Sequence, residues 1–192
     1  MPARLHHRLE GPEDAPVLVL SNSLGTSLEM WDDQVPALAE RFRLLRFDAR
    51  GHGRSEVPGG PYAIEELGRD VLALLEDLGL ERVHFCGLSM GGMTGMWLAV
   101  NAPERIDRLA LCSTSTHMPP AKQWHERAAT VREQGMGAMA DGSIERWFSP
   151  DAPAERPDAV ERVVQARGGH VTSCSAPYRA STRSISSLEA PK

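Results

Sequence analysis

One serine of this sequence stands in a pattern that suits nucleophilic catalysis. Gly87, Ser89 and Gly91 form a G-x-S-x-G motif between the apolar segment VHFC and a run of helical character. A serine at such a strand–turn–helix junction lies on a sharp turn, so the positions two residues away must lack bulk. The N-terminus of the following helix favours negative charge beside the hydroxyl. The pattern therefore predicts that Ser89 is the nucleophile of an acyl-transfer site.

A second segment could supply hydrogen-bond donors to the oxyanion of such a reaction. Residues 22–26, Asn-Ser-Leu-Gly-Thr, follow the apolar run PVLVLS. The loss of one oxyanion donor costs about 2.7–4 kcal/mol in acyl-transfer enzymes. In an architecture of this kind one donor is the N–H after the nucleophile, which is Met90, and the other lies in the loop after an earlier strand. We predict that Leu24 is that second donor.

A histidine in the glycine-rich segment 48–55 (DARGHGRS) is a third candidate. His52 precedes Ser89, whereas the acid and the base follow the serine in folds with this type of turn. We therefore interpret the segment as structural. Asp48 and Arg50 are expected to satisfy buried loop backbone, and the glycines are expected to allow close approach.

The elements that must position these residues alternate between strands and helices. Short apolar runs predict strands at residues 16–21, 43–47, 83–86 and 106–112, and residues 4–10, which precede a turn at Gly11-Pro12, are a plausible short strand. Helical spacing of apolar residues predicts helices at 31–42, 63–80 and 90–101, with a glycine-rich loop at 48–62. The alternation predicts an α/β fold whose mostly parallel sheet is flanked by helices.

The composition changes after residue 116. No convincing strand follows between residue 117 and about residue 165, where helices are predicted at 120–134, 136–148 and 157–167. We expect three parts, which are the N-terminal part of an α/β core at 1–116, a helical cap at 117–167 and a return segment at 168–192.

Composition excludes several classes of protein. The 192 residues suit one ordinary domain, and the net charge of -5 offers no basic patch for nucleic acid or an anionic membrane. The apolar runs are too short for a bilayer, which needs roughly 20 residues. No secretory signal is visible in residues 1–20.

The three cysteines lack metal-binding spacing, and we interpret Cys86 and Cys112 as buried thiols of a cytoplasmic protein.

The segments SNSLGT, FDARGHGRS and CGLSMGGMTGMWLA resemble the 3-oxoadipate enol-lactonase family of the α/β-hydrolase fold. Many α/β hydrolases have His-Gly where this chain has Asn22-Ser23, and the Asn-Ser form is similar to the enol-lactonases. The resemblance covers about residues 4–165 and includes ERWFSP in the cap. It implies hydrolysis of 3-oxoadipate enol-lactone to 3-oxoadipate in aromatic catabolism, the β-ketoadipate pathway. It implies no metal and no cofactor.

The resemblance also implies catalytic groups that this sequence does not contain. In the family the catalytic Asp and His follow the next two core strands, and the sequence ends at Lys192 before either strand. We therefore expect a C-terminally truncated chain, or one completed by a second chain that supplies the missing strands. The chain alone is expected to be impaired, because a serine without a base is a weak nucleophile. Among the histidines after Ser89, His117 is the best-placed substitute, since it follows strand 106–112.

The substrate that the resemblance implies carries a carboxylate. Arg146 is our candidate for gripping it, because a guanidinium binds a carboxylate bidentately, and Trp147 would line the same pocket. The alternative of a surface arginine beside a packing tryptophan stays open.

Two other functions stay open. Carboxylesterases and C–C bond hydrolases of the α/β-hydrolase fold share the serine turn. A non-catalytic binding protein of this fold would account for the absent Asp and His.

Overall fold

The computed structural model describes residues 1–117, 120–139, 147–158 and 160–161. Within these ranges the strands are β1 (His7–Glu10), β2 (Val17–Ser21), β3 (Arg43–Phe47), β4 (Val83–Leu88) and β5 (Ile106–Cys112). The α-helices are α1 (Val35–Leu38), α2 (Ile64–Asp77), α3 (Met90–Asn101), α4 (Ala121–Gln134) and α5 (Ala152–Glu155). Short 3-10 helices occupy Leu28–Trp31, Pro103–Arg105 and Met136–Met139.

The sheet has the strand order β1-β3-β2-β4-β5. β1 pairs with β3 in the antiparallel sense, and the other pairs are parallel. From β2 the chain runs to β3 on one side, whereas β4 lies on the other side of β2. The carboxyl ends of β2 and β4 therefore border the crevice in which open α/β sheets bind ligands. The segments that contain Leu24 and Ser89 both begin at this crevice.

Apolar side chains alternate along the strands and form a core on each face of the sheet. One face buries Val19, Leu45 and Phe85 under helices α2 and α3. The other face buries Leu20 and Leu44 against a smaller layer that includes Trp31 of the 3-10 helix and side chains of α1. This period of two, with both faces covered, confirms the predicted mostly parallel sheet.

Helices α2 and α3 pack closely on the first face. Gly68 of α2 lies against the Trp97 ring, where an added Cβ would overlap the indole. The amphipathic face of α2 buries Leu67, Val71 and Leu75 in the core. This packing fixes α3, whose first turn follows Ser89 directly.

Several predicted elements match the structure and one does not. β3, α3 and β5 have the predicted bounds. The predicted helix 31–42 is wrong, because the structure has a 3-10 helix at Leu28–Trp31 and only the short α1 after it. Pro36 has no N–H and must lie in the first turn of a helix, so a helix cannot run through it from residue 31.

The predicted cap is only partly described. Helix 120–134 is confirmed by α4. For the predicted helix 136–148, the structure has the 3-10 helix Met136–Met139, and residues 140–146 lie outside the described residues. Most of the predicted helix 157–167 and all of segment 168–192 also lie outside them, so the three-part division stays a prediction. None of the helices in the described ranges has the length and apolar character that a bilayer crossing needs.

Candidate active site

Ser89 lies on a strained turn between β4 and α3. Its φ is 53° and its ψ is -111°, a backbone conformation that residues other than glycine rarely adopt. Two hydrogen bonds hold the turn. The Ser89 N–H donates to the Cys112 carbonyl at 2.9 Å, and Thr114 Oγ1 donates to the Ser89 carbonyl at 2.7 Å. The predicted strand–turn–helix junction is confirmed, and the nucleophilic role of Ser89 stays a prediction.

The glycines around Ser89 allow the turn to fit against its neighbours. A Cβ on Gly87 would overlap the backbone of Gly91, and a Cβ on Gly91 would overlap the Ser21 carbonyl at the end of β2. A Cβ on Gly92 would lie 2.6 Å from the Thr114 side chain. The prediction that the positions flanking Ser89 must lack bulk is therefore confirmed by these contacts.

The loop after β2, residues 22–27, is here called the oxyanion loop, and three of its N–H groups have acceptors within the chain. The Ser23 N–H donates to Met30 Sδ at 3.5 Å, the Gly25 N–H to His52 Nε2 at 3.0 Å, and the Thr26 N–H to the Ser23 carbonyl at 3.3 Å. No acceptor among the described residues takes the Leu24 N–H. The loop therefore offers Leu24 as a donor to a ligand.

The turn at Ser89 offers a second donor in the same way. The Ser89 N–H is bonded to Cys112, and the Gly91 N–H donates to the Asn22 carbonyl at 3.0 Å. Between them, the Met90 N–H has no protein acceptor in the part of the chain that the structure describes. Leu24 and Met90 are the two residues predicted as oxyanion donors, and the hydrogen bond from Gly91 to Asn22 joins the segments that carry them.

Asn22 anchors the oxyanion loop to the core through its side chain. Its Nδ2 donates to the Phe47 carbonyl at the end of β3, and its Oδ1 accepts from Trp31 Nε1, both at 2.8 Å. The amide is 1% exposed. Because each amide atom meets the complementary group, the side chain has one orientation. The position after an apolar strand indicates a loop, but nothing in the sequence indicates these two partners.

The segment 48–55 packs against the oxyanion loop and the 3-10 helix that follows it, and holds both through hydrogen bonds. Asp48 Oδ1 accepts the Leu28 N–H at 2.7 Å and Oδ2 accepts the Arg54 N–H at 2.9 Å, which confirms the predicted role of Asp48. The prediction for Arg50 is wrong. Its guanidinium binds Asp70 and Glu66 of α2 instead of loop backbone, because Asp70 is itself buried and needs a cation.

His52 is buried and hydrogen-bonded through both ring nitrogens. Nδ1 donates to the Arg50 carbonyl at 2.9 Å, and Nε2 accepts the Gly25 N–H. Burial lowers the pKa of His52, and the Asp48 carboxylate opposes this effect more weakly. A ring in this arrangement is neutral, and neither nitrogen is available to take a proton from Ser89. This geometry agrees with the interpretation of His52 as a structural residue.

The described residues bring no acid or base to the serine. No histidine or carboxylate in the described ranges hydrogen-bonds to Ser89 Oγ. His117 is exposed, and its N–H and carbonyl pair with Ser115 Oγ. His125 is exposed on α4, and His170 lies outside the described residues. Within those ranges, no group of three or more His, Cys, Asp or Glu residues could hold a metal ion.

The two cap residues predicted to bind substrate are not brought to the serine by the described contacts. Arg146 lies outside the described residues. Trp147 is described and its side chain is 41% exposed. Their roles stay predictions.

The two thiols near the turn differ from the expectation. Cys86 of β4 is half-buried, but Cys112 of β5 is exposed, so its predicted burial is wrong. The reason is the position of β5 at the edge of the described sheet. The two Sγ atoms lie 4.0 Å apart, and burial together with the neighbouring Cys112 raises the pKa of Cys86 to about 11.

Comparison with known proteins agrees with this geometry. Residues 16–149 match the family model for the alpha/beta hydrolase fold. The chain is 40% identical over 184 residues to 3-oxoadipate enol-lactonase 2 of Acinetobacter baylyi. It superposes on the crystal structure of the enol-lactonase from Burkholderia xenovorans with a TM-score of 0.84 and 44% identity. A hydrolase from Pseudomonas aeruginosa gives a TM-score of 0.83 and 48% identity.

These matches cover nearly all of this chain and about two thirds of each relative. The alignment with the Acinetobacter lactonase spans 93% of this chain and 69% of that protein. The Burkholderia superposition covers 91% of this chain and 70% of the other, and the Pseudomonas superposition covers 88% and 65%.

Proposed function

The chain belongs to the α/β-hydrolase family, and from this premise we propose that it is a serine hydrolase of 3-oxoadipate enol-lactone or a closely related lactone. The observation that carries the proposal is the pair of N–H groups beside Ser89. Met90 follows a strained serine, and Leu24 lies in the loop that the Gly91–Asn22 hydrogen bond joins to the serine turn; their N–H groups meet no acceptor in the described part of the chain. Similarity to enol-lactonases supports the choice of a lactone.

The chemistry follows from the roles of these three residues. Ser89 Oγ attacks the lactone carbonyl carbon, and its proton passes to a base. The carbonyl oxygen becomes an oxyanion that accepts hydrogen bonds from the Leu24 and Met90 N–H groups. The ring C–O bond then breaks, and the departing enol oxygen takes a proton. The enol becomes the ketone, and the acyl group stays on Ser89.

The second half of the reaction frees the serine. Water attacks the acyl carbon, and the same base takes a proton from the water. The Ser89 ester bond breaks as Oγ takes that proton from the base, and the product leaves with a new carboxyl group that ionises to a carboxylate. Histidine is the base in serine hydrolases of this kind. Without it, oxyanion stabilisation and binding retain about 10³- to 10⁴-fold acceleration over water.

The free carboxylate of such a substrate needs a cationic partner. We propose Arg146 for this contact, with Trp147, the next residue of the sequence, lining the same pocket. An Arg146→Ala variant should raise the KM for the enol-lactone and leave kcat nearly unchanged, because the contact is the same in ground and transition states. An unchanged KM would show that Arg146 does not bind the carboxylate of the substrate.

A fluorophosphonate probe tests the nucleophile directly. The purified chain should be labelled slowly at one serine, because the described residues bring no base to it, and Ser89→Ala should abolish the label. Ser115→Ala is the matched control, since Ser115 is an exposed serine just after β5, and it should be labelled like the native chain. Hydrolysis of the enol-lactone, followed alongside that of a simple acetate ester, then tests the substrate.

Each outcome decides between the candidates. Labelling at Ser89 with faster turnover of the lactone supports the proposal. Labelling with turnover of the simple ester alone favours a carboxylesterase instead. A folded native chain that takes no label and hydrolyses neither compound contradicts the hydrolase and favours a non-catalytic binding protein.

A further inference from the structure

His52 is a buried titratable side chain that the reaction above does not use. It is 4% exposed, yet it lies within hydrogen-bond distance of the oxyanion loop. A buried imidazole needs partners for both nitrogens, and one of its two partners belongs to the segment that presents Leu24. This contact links a residue outside the reaction to one of the two proposed oxyanion donors.

The contact acts on the peptide group that carries the Leu24 N–H. That peptide joins Ser23 to Leu24, and the peptides on both sides of it are fixed. The preceding peptide is held by the bond from the Ser23 N–H to Met30 Sδ, which is long at 3.5 Å. The following peptide is held by the bond from the Gly25 N–H to His52 Nε2, at 3.0 Å. The Ser23 carbonyl of this peptide also accepts from Thr26 Oγ1 at 2.7 Å and from the Thr26 N–H at 3.3 Å, so loss of the His52 bond would free the Leu24–Gly25 peptide within that turn.

The imidazole is itself fixed by its other nitrogen. Because Nδ1 donates to the Arg50 carbonyl at 2.9 Å, the proton is on Nδ1 and the Nε2 lone pair faces Gly25. A hydrogen bond on one ring nitrogen selects the tautomer at the other. A doubly protonated ring would have no lone pair for the Gly25 N–H.

We propose that His52 is a positioning residue for the oxyanion loop: its neutral imidazole holds the Gly25 N–H and thereby aims the Leu24 N–H at the oxyanion. The inference rests on the proposed function for its catalytic consequence, but the contact itself can be measured without turnover. It predicts that acid, which protonates the ring, releases the loop.

The surroundings of the ring favour this neutral state. The oxyanion loop that faces the ring carries no titratable side chain between Asn22 and Ser27. From its own segment, Arg50 presents a carbonyl, and the Asp48 carboxylate acts on the ring charge. That carboxylate already accepts two N–H groups, from Leu28 and Arg54. Burial therefore outweighs Asp48, and the pKa of His52 lies below its ordinary value.

Amide hydrogen exchange and NMR of the whole chain test the contact. In the native protein the Gly25 amide should be protected, and the His52 ring nitrogens should show the Nδ1–H tautomer. His52→Leu should raise Gly25 exchange to that of an unbonded amide, whereas His52→Gln, whose carbonyl oxygen can accept, should keep it slow. His125→Leu is the control, because it makes the same substitution at an exposed position on α4, away from the oxyanion loop.

Native protein alone gives an independent measurement if His52→Leu does not fold. On acidification, the Gly25 amide resonance should move together with the His52 ring, with one apparent pKa. The proposal would be overturned if folded His52→Leu kept the native protection of the Gly25 amide. It would also be overturned if the Gly25 resonance did not shift as the His52 ring titrates.

The catalytic consequence has its own readout. His52→Leu should slow fluorophosphonate labelling of Ser89 by about 100-fold, a loss typical of misplaced catalytic groups. His52→Gln should restore most of that rate, and His125→Leu should label at the native rate. If the native chain takes no label but Gly25 responds as described, the hydrolase proposal fails and the contact stands. Equal labelling of His52→Leu and native protein would overturn the positioning role.

Discussion

The Gly91 N–H donates to the Asn22 carbonyl at 3.0 Å. This single backbone contact ties the loop after β2 to the first turn of α3. Leu24 and Met90 lie on the two sides of it, so their separation is set by backbone geometry instead of side-chain rotamers. The contact requires that α3 approach β2 closely, which depends on the absence of a side chain at Gly91.

Gly91→Ala should therefore damage both stability and the serine turn. The added methyl would overlap the Ser21 carbonyl. Overpacking of this kind costs about 1–3 kcal/mol in the free energy of unfolding. Urea denaturation measures that loss, and the fluorophosphonate labelling rate of Ser89 reports the displaced turn. Gly59→Ala is the control, since nothing lies within 4 Å of a Cβ there. Equal behaviour of the two variants would contradict the close approach.

Asn22→Ala should destabilise the chain more than Trp31→Phe. The alanine leaves both the Phe47 carbonyl and the Trp31 indole N–H without their buried partner, at about 1–3 kcal/mol for each group. The phenylalanine removes one donor and leaves only Asn22 Oδ1 unpaired. Free energies of unfolding of the two variants give the comparison. A smaller loss in Asn22→Ala would show that the amide does not anchor the loop.

Asp70→Asn should be among the more destabilising single changes in the core. Asp70 is 1% exposed and binds the Arg50 guanidinium at 2.6 and 2.7 Å, as well as the Ala3 N–H at 2.7 Å. Breaking a buried ion pair from one side costs about 3–5 kcal/mol.

Glu65→Gln is the comparison for this effect, because Glu65 forms an exposed pair with Arg69 on the same helix. Such helical pairs contribute about 0.2–0.5 kcal/mol. The two variants are compared by urea denaturation at neutral pH. Similar losses in the two would mean that Arg50 finds another partner or reaches water.

The free energy of unfolding should fall as the pH drops below 6.5, the ordinary pKa of histidine. Burial lowers the pKa of His52 in the folded chain, so the unfolded chain takes up a proton first. Protons bound preferentially by the unfolded state make stability rise with pH. Through His52 alone, the free energy of unfolding changes by at most about 1.4 kcal/mol per pH unit. Burial and Arg54 lower the pKa of His6 as well, which acts in the same direction.

Denaturation curves at a series of pH values, for native protein and His52→Gln, separate the contribution of this ring. The slope of the free energy of unfolding below pH 6.5 should be smaller in His52→Gln than in native protein. An identical slope in native protein and His52→Gln would mean that folding does not lower the pKa of His52.

Cys112 should react with iodoacetamide before Cys86. The thiolate is the reactive form, and burial beside Cys112 raises the pKa of Cys86 to about 11, so Cys86 stays protonated near neutral pH. Cys112 is also exposed on β5. Mass spectrometry of timed samples gives the order of labelling, with guanidinium-unfolded chain as the control in which both sites react alike. Faster labelling of Cys86 in the folded chain would contradict the described burial.

The parts of the fold that sequence could predict are those with a local cause. Strand β3 matches its prediction because a short apolar run favours a buried strand. Helix α3 matches because the glycine-flanked serine marks the turn at which the helix begins. The helix predicted at 31–42 failed because its apolar spacing was correct while Pro36 limits where a helix can begin. The spacing of apolar residues carries no information on the N–H that proline lacks, so a prediction from spacing alone misses this limit.

The support of the site could not be predicted, because it depends on contacts between distant segments. Asn22 meets Phe47 and Trp31, and His52 meets Gly25, across separations that no local pattern encodes. Thr114 likewise bonds the Ser89 carbonyl from a loop after β5, where threonine is common for many reasons. The sequence indicates which residues could react, whereas the fold determines which residues hold them.

The bonds that shape the oxyanion loop have an energetic consequence for the reaction. Met30, Asn22 and His52 hold the loop through contacts within the chain, so its dipoles are oriented when folding ends, before any substrate arrives. Water around an oxyanion must reorganise during the reaction, and that reorganisation raises the barrier. In the reaction that we propose, the free energy of folding orders the solvating groups beforehand, and this lowers the work left for the chemical step.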